Sequence, residues 1–545
     1  MLRTIPPLFL SVLLHAQAPD APPKSGAPAE KPPAAMETIV KKDLLAFATW
    51  MADDARGGRL TGSPGQEETA KWIAAHFEKA GLEPLGDEVD GKRTFFQRYG
   101  ISRTTVADTT KLRCGKVELR EGFAILGGRP TEVKIDGTMR YCGLGRTRGD
   151  SADVKADDSL EGQIAVVVLK PLRGRVGKKM SVEQKFGAAL GTFSQLGRTT
   201  TALGKKGAKA VLFLQIADPA GLTDVLNYLA LSPGKDSLVA RFEGADPGMG
   251  AVSGMFGDAG GIPSLVLSLG ASKSVLAELG VDADGLGEHL SGEGEAPKAK
   301  ADVPALLQLT VRLDDQATAC NVVAVLRGSD PKLAAEAVVY SAHMDHVGRR
   351  MDGEVFNGAD DNASGSAGLM AIAAAFAKSK EKSRRSVIFL SVSGEELGLW
   401  GSHWFADHPT WDAEAIVADV NTDMIGRSGP ESAEMEVTVT PSNRHASFST
   451  IVRDAAGFAE RLGMTFTSGD KYYTRSDHYN FAKKGIPVVF FCNGEHEDYH
   501  QVTDHADKLD GDKMERIARL AFWTGWSVAN AEERPRTLGK REDWR

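Results

Sequence analysis

Histidines and acidic residues gather in five short segments of this 545-residue chain, four of them just after an apolar run. His343-Met344-Asp345 follows Ala337–Ser341. In such a segment an imidazole can bind a metal while a carboxylate two residues on orients its other nitrogen. Asn357-Gly358-Ala359-Asp360-Asp361-Asn362-Ala363-Ser364-Gly365 places two carboxylates at the start of an alanine-rich stretch, and Ser393-Gly394-Glu395-Glu396 follows Val387–Val392. Asn421-Thr422-Asp423-Met424 follows Ala415–Val420, and a loop with His496, Glu497, Asp498, Tyr499 and His500 follows Pro487–Phe491. Each segment alone has a plain structural explanation, because turns satisfy lone histidines and acidic residues stabilise helix N-termini. Five successive strand ends all delivering His, Asp or Glu call for a shared one, since such ends converge along one edge of a sheet. Nitrogen and carboxylate donors without thiolate suit two hard-to-borderline cations, as in zinc sites whose open positions admit water and substrate.

The elements needed to position these donors are legible. From Cys320 onward, strand-like runs (Asn321–Leu326 and the four named above) alternate with amphipathic stretches such as Ala363–Phe376 and Met514–Val528. That alternation predicts an α/β fold built on a mostly parallel, doubly wound sheet. Ser63-Pro64-Gly65-Gln66 supplies an N-cap, a proline at the first helical position and a capping-box glutamine, and Gly81 ends the helix so predicted. Between Lys134 and Pro304 the short runs Ile164–Leu169, Ala210–Leu214 and Ser264–Leu267 lie between glycine-rich loops and predict a smaller, β-rich α/β domain inserted into the first. No histidine occurs between His76 and His289, so this segment is not expected to supply metal donors.

The apolar run Ile5–Leu14, preceded by Arg3 and followed by Ala16-Gln17-Ala18, has the layout of a secretory signal peptide and is too short to span a membrane. Export to the periplasm or the exterior is expected. The resulting organisation is a signal peptide over 1–18, a Pro/Ala-rich tether over 19–35, two parts of the main domain over 36–130 and 305–530 around an insertion over 131–304, and a polar tail over 531–545. A net charge of −8, without a basic stripe interleaved with aromatics, excludes a nucleic-acid surface. Four cysteines exclude a disulfide-stapled scaffold, and Cys114 and Cys142 are not expected to pair.

In order and spacing, the segments carrying His343 and Asp345, Asp360-Asp361, Glu395-Glu396, Asp423, and Tyr499-His500 resemble the M28 family of dizinc peptidases. Arg475-Ser476-Asp477-His478 and Gly485-Ile486-Pro487 are similar to that family too, while Glu161–Leu169 and Gly204–Leu214 resemble the protease-associated domain often inserted in exported peptidases. The resemblance implies that Asp360 bridges two zinc ions, that His343 and Asp423 complete one site, and that Glu396 and His500 complete the other. It further implies that Glu395 is the general base, that Asp345 partners His343, and that Asp360–Asp361 is a cis peptide. Tyr499 is a candidate to hydrogen-bond the tetrahedral oxyanion. His346, His478 and His496 are expected outside the donor set. Asn362-Ala363-Ser364 matches a glycosylation sequon, but a glycan there would block the metal loop.

The expected function is that of an exported zinc-dependent exopeptidase acting on peptides, an aminopeptidase first. A carboxypeptidase or dipeptidase of the same fold acting on acidic peptides would need arginines such as Arg427, Arg444 or Arg475 to grip a terminal carboxylate. A peptidase-fold binding protein that has lost catalysis is the remaining alternative.

Overall fold

The computed structural model describes residues 31–127, 129–149, 151–170, 182–217, 226, 231–245, 261–293, 295–429 and 433–545. The signal-peptide segment and most of the tether lie outside them.

The strands Thr318–Leu326 (β1), Ala337–His343 (β2), Ser386–Val392 (β3), Ile416–Thr422 (β4) and Val488–Cys492 (β5) form the heart of one sheet. They lie in the order β1-β3-β2-β4-β5. β3, β2, β4 and β5 run parallel, and β1 is antiparallel to β3. Alternation sorts their side chains onto two faces. Val338, Tyr340, Phe389, Val420 and Phe491 enter one buried cluster, while Val339, Ile388, Leu390, Ile416 and Val488 enter another on the opposite face. The first cluster is covered by the helices Lys41–Met51 (α1), Pro64–Ala80 (α2), Gly365–Lys378 (α3) and Gly511–Asn530 (α4). Phe405 and Phe481, from two shorter helices, cover the second. Helices thus clothe both faces, as the apolar runs predicted.

The predicted start of α2 forms as expected. The Ser63 hydroxyl accepts the Gln66 N–H at 3.3 Å, and Gly81 ends the helix with φ +86°. The Gln66 side chain accepts from the Gly62 N–H, one residue earlier than a standard capping box would have it.

A second sheet is built on Ile164–Leu169, Ala210–Gln215 and Ser264–Leu267, which pair in parallel in that order, with its own buried clusters. It also takes in strands on either side of 131–304, including Lys111–Cys114, Phe123–Ile125 and Val303–Asp314. Phe96–Val106 joins the sheets, its first half pairing with β1 and its second half with Ser237–Ala240 and Val303–Asp314. All four cysteines are free and buried. No described helix is long and apolar enough to cross a membrane.

Candidate metal centre

The carboxyl ends of β2, β3, β4 and β5 converge, and the turns after them carry the donors. His343 ends β2. Its Nε2 lies 3.4 Å from Asp361 Oδ1 and 3.3 Å from Asp423 Oδ1. On the other side of Asp361, the Nε2 of His500 lies 2.9 Å from Asp361 Oδ2 and 3.0 Å from Glu396 Oε2. The Nδ1 of His346 lies 2.6 Å from Glu396 Oε1 and 3.9 Å from Asp361 Oδ2. Two groups able to hold cations result: His343, Asp361 and Asp423, and His346, Asp361, Glu396 and His500, with Asp361 common to both.

The residue between the two groups is Asp361, and the expectation for Asp360 gives way to it. Gly358, in the left-handed region at φ +56°, turns the chain into the loop, where the Asp504 carboxylate accepts the N–H groups of both Asp360 and Asp361. From that anchored backbone the neighbouring side chains part. Asp360 Oδ1 accepts the Gly426 N–H at 2.6 Å, and its Oδ2 lies 3.2 Å from His496. The cis peptide is Asp361–Asn362, one residue later than expected. Asn362 is wholly buried, bonded to Gly365, Met424 and Thr422, which removes the sequon as a glycan site.

Around the donors stands a layer of orienting contacts. Asp345 receives the Thr61 hydroxyl at 2.8 Å and the Glu395 N–H at 3.4 Å, and its carboxylate lies 3.7 Å from His343 Nδ1. Ser476 donates to Asp423 at 2.9 Å, so the Arg475–His478 motif serves the centre through its serine. Glu395 points inward, with Oε2 3.9 Å from His343 Nε2. Tyr499 stacks on His500 with ring centroids 3.8 Å apart, and its hydroxyl accepts from Arg475. His500 and Met424 both hold φ near +55° beside the donors, strain that persists only where the surroundings over-determine the backbone.

His346 joins the donors, contrary to expectation. His478 and His496 stay outside them. His478 stacks on Phe490, and burial pushes its pKa down to about 3, leaving it neutral. The sequence signal for His346 was its place three residues after His343 in the same loop. Asp504, four residues past His500, and Thr61, two residues before the Ser63 cap, belong to no motif and left no such signal.

Electrostatics agree with a cation-binding centre. Burial opposes charge on His500, but Glu396 and Asp361 outweigh it and push its pKa up to about 10, so a proton is attracted to the position between those groups. Burial raises Glu395 well above the usual carboxylate range, with the nearby Asp423 and Glu396 charges adding to the effect against His343. His343 Nε2 and Asp423 Oδ1 are buried without a hydrogen-bond partner and face the same point. Unsatisfied nitrogen and oxygen donors aimed at one another are what a divalent cation such as zinc would satisfy.

Residues 321–524 match the model of peptidase family M28. That matched segment holds every donor of the centre. The chain is 24% identical over 257 residues to aminopeptidase YwaD of Bacillus subtilis, an alignment covering 44% of this chain and 53% of that protein. Its matches span only 53–60% of the length of the first curated relatives, which include proteins named "probable zinc metalloprotease" from Pyricularia oryzae and Pyrenophora tritici-repentis. Among solved structures, an M28 peptidase precursor from Shewanella amazonensis superposes with TM-score 0.51 at 19% identity, covering 93% of this chain and 97% of that one. A zinc aminopeptidase from Bacillus subtilis gives 0.50 at 19%, covering 89% and 94%. At that identity the likeness is one of fold, and it extends well beyond the matched segment.

Proposed function

We propose that this chain is an exported two-zinc aminopeptidase that removes N-terminal residues from peptides. The observation carrying the reading is the shared Asp361 between two donor groups, with Glu395 facing the His343 side. His343, Asp361 and Asp423 would hold one zinc, and His346, Asp361, Glu396 and His500 the other. Bound there, the pair would acidify a shared water and polarise the scissile carbonyl. Glu395, already poised towards protonation by burial and by the nearby Asp423 and Glu396 charges, takes the water's proton and passes it to the leaving amine. Asp345 holds His343 in orientation, and the Tyr499 hydroxyl, lining the adjoining cavity, donates to the tetrahedral oxyanion.

That cavity favours an amine terminus over a carboxylate. Its lining carries Asp361, Glu395, Asp423 and Glu495 but, among arginines, only Arg475, whose guanidinium is held by Glu495 at 2.6 Å. Arg427 is engaged by Asp498 away from it. Met424, Phe490 and Cys492 in the wall suit an apolar side chain on the residue removed. Among the described residues the second sheet contributes no donor to the centre, which leaves it a role in shaping access.

Purified protein should carry up to two zinc ions and hydrolyse leucine p-nitroanilide. Chelation should abolish the activity, added zinc should restore it, and an N-acetylated counterpart should be resistant. Hydrolysis that survives full metal removal, or equal cleavage of the blocked substrate, would refute the assignment.

A further inference from the structure

Upstream of the M28 match, Arg59 closes the irregular segment Asp54–Arg59 with φ +48° and a wholly buried side chain. Among the described residues no carboxylate pairs with it. Its guanidinium instead donates to four main-chain carbonyls. Nε reaches Met344 O at 2.8 Å, Nη1 reaches Met51 O at 2.7 Å and Asn357 O at 2.6 Å, and Nη2 reaches Gly358 O at 2.9 Å. Met344 lies between His343 and Asp345, and Asn357 and Gly358 lead into Asp361. One planar group therefore ties together the two loops that carry His343, His346 and the shared aspartate.

The backbone around Arg59 reinforces this tie. Its carbonyl accepts the His346 N–H at 3.2 Å, and the Gly58 carbonyl accepts the Gly348 N–H at 3.0 Å. The approach is so close that a Cβ on Gly58 would lie 2.1 Å from Gly348 O. A buried guanidinium satisfied only by carbonyls is costly to desolvate, and apolar side chains would fill the volume more cheaply. Only arginine offers a rigid fan of five donors able to hold several carbonyls at once. Its charge also faces the acidic centre. Burial lowers its pKa to about 10, and Asp345 and Asp361 are the leading influences in the other direction.

We propose that Arg59 is a positioning residue for the metal centre, holding the His343–His346 loop and the Asn357–Asp361 loop at the separation their donors need to share a pair of cations. This rests on the two-zinc reading above. The test uses the full chain as wild type, Arg59→Lys and Arg59→Ala, with zinc affinity measured by competition against a chelator and melting followed with and without zinc.

Lysine keeps the charge but cannot span four carbonyls. Both variants should lose roughly 10- to 100-fold in zinc affinity, the usual cost of removing an outer support of a metal ligand. The rise in Tm on adding zinc should shrink, and millimolar guanidinium, unlike sodium chloride at equal ionic strength, should restore part of the affinity of Arg59→Ala. A merely structural role would lower the metal-free and zinc-loaded Tm equally and leave the affinity unchanged, and that result overturns the proposal. If Arg59→Ala does not fold, Arg59→Lys decides alone, wild-type zinc affinity in it being the overturning result. Wild-type protein that takes up no zinc overturns the two-zinc reading instead.

Discussion

Asp360 and Asp361 are neighbours in one loop, yet one carboxylate accepts a backbone N–H from Gly426 while the other lies among three histidines. Asp361→Asn should therefore strip zinc from both positions, whereas Asp360→Asn should retain most of it; elemental analysis of the two purified variants checks this, and the reverse pattern would restore Asp360 as the shared ligand. Glu395→Gln preserves shape but cannot accept the water's proton, so it should keep its zinc while kcat falls roughly 10²–10⁴-fold. Retained turnover in that variant would remove Glu395 from the reaction. The donor types and their clustering were legible in the sequence because they recur at strand ends. Which of two adjacent aspartates points inward was not, since in a non-repeating loop side-chain direction depends on a distant anchor, here Asp504. The sequence does not single out His346, because the resemblance already assigns five donors without it.

Elements carry their own signals. Apolar runs marked β1 to β5 to within a few residues, and Ser63-Pro64 marked the start of α2. Phe96–Val106 was not legible, because its burial varies along the strand as it changes partners between the two sheets. One contact between elements is testable by pH. Wholly buried Arg385, at the entry to β3, pairs with Glu336 at 2.6 Å and donates to the carbonyls of Val528 and Ala531 at the end of α4. Burial alone would raise the Glu336 pKa, but Arg385 and Arg534 outweigh it and hold the carboxyl below its usual range. A lowered folded-state pKa stabilises above the unfolded value near 4.3, and that stability is lost as pH falls through the folded value. Glu336→Gln should cost roughly 1 kcal/mol at pH 7, because Glu336 is only partly buried, solvent screens the pair and Arg385 keeps its carbonyl partners. The gap to wild type should narrow below about pH 4.5, as denaturant melts across pH would reveal.

At the scale of the molecule, the centre concentrates the buried carboxylates Asp345, Asp361 and Asp423 with the partly buried Glu395 and Glu396, whose mutual repulsion bound cations would relieve. Zinc at a thousand times its Kd should add about 4 kcal/mol to stability. Calorimetry with and without chelator should thus show a Tm several degrees lower for the metal-free chain, and coincident melts would contradict a centre that draws stability from metal. The seating of α1 on α4 reaches further. Lys41 pairs with Asp512 at 2.8 Å across 471 positions, Leu45 packs on Gly511, and Arg519 donates to Ile39 O. A ribosome adding roughly 5–20 residues per second needs about half a minute to a minute and a half between those two helices. Until α4 is made, the part of α1 that it covers stays open, so release of α4 becomes the event that closes the core. Ribosome-bound chains stopped before Gly511 should remain protease-sensitive along α1, and chains extended past Asn530 should not.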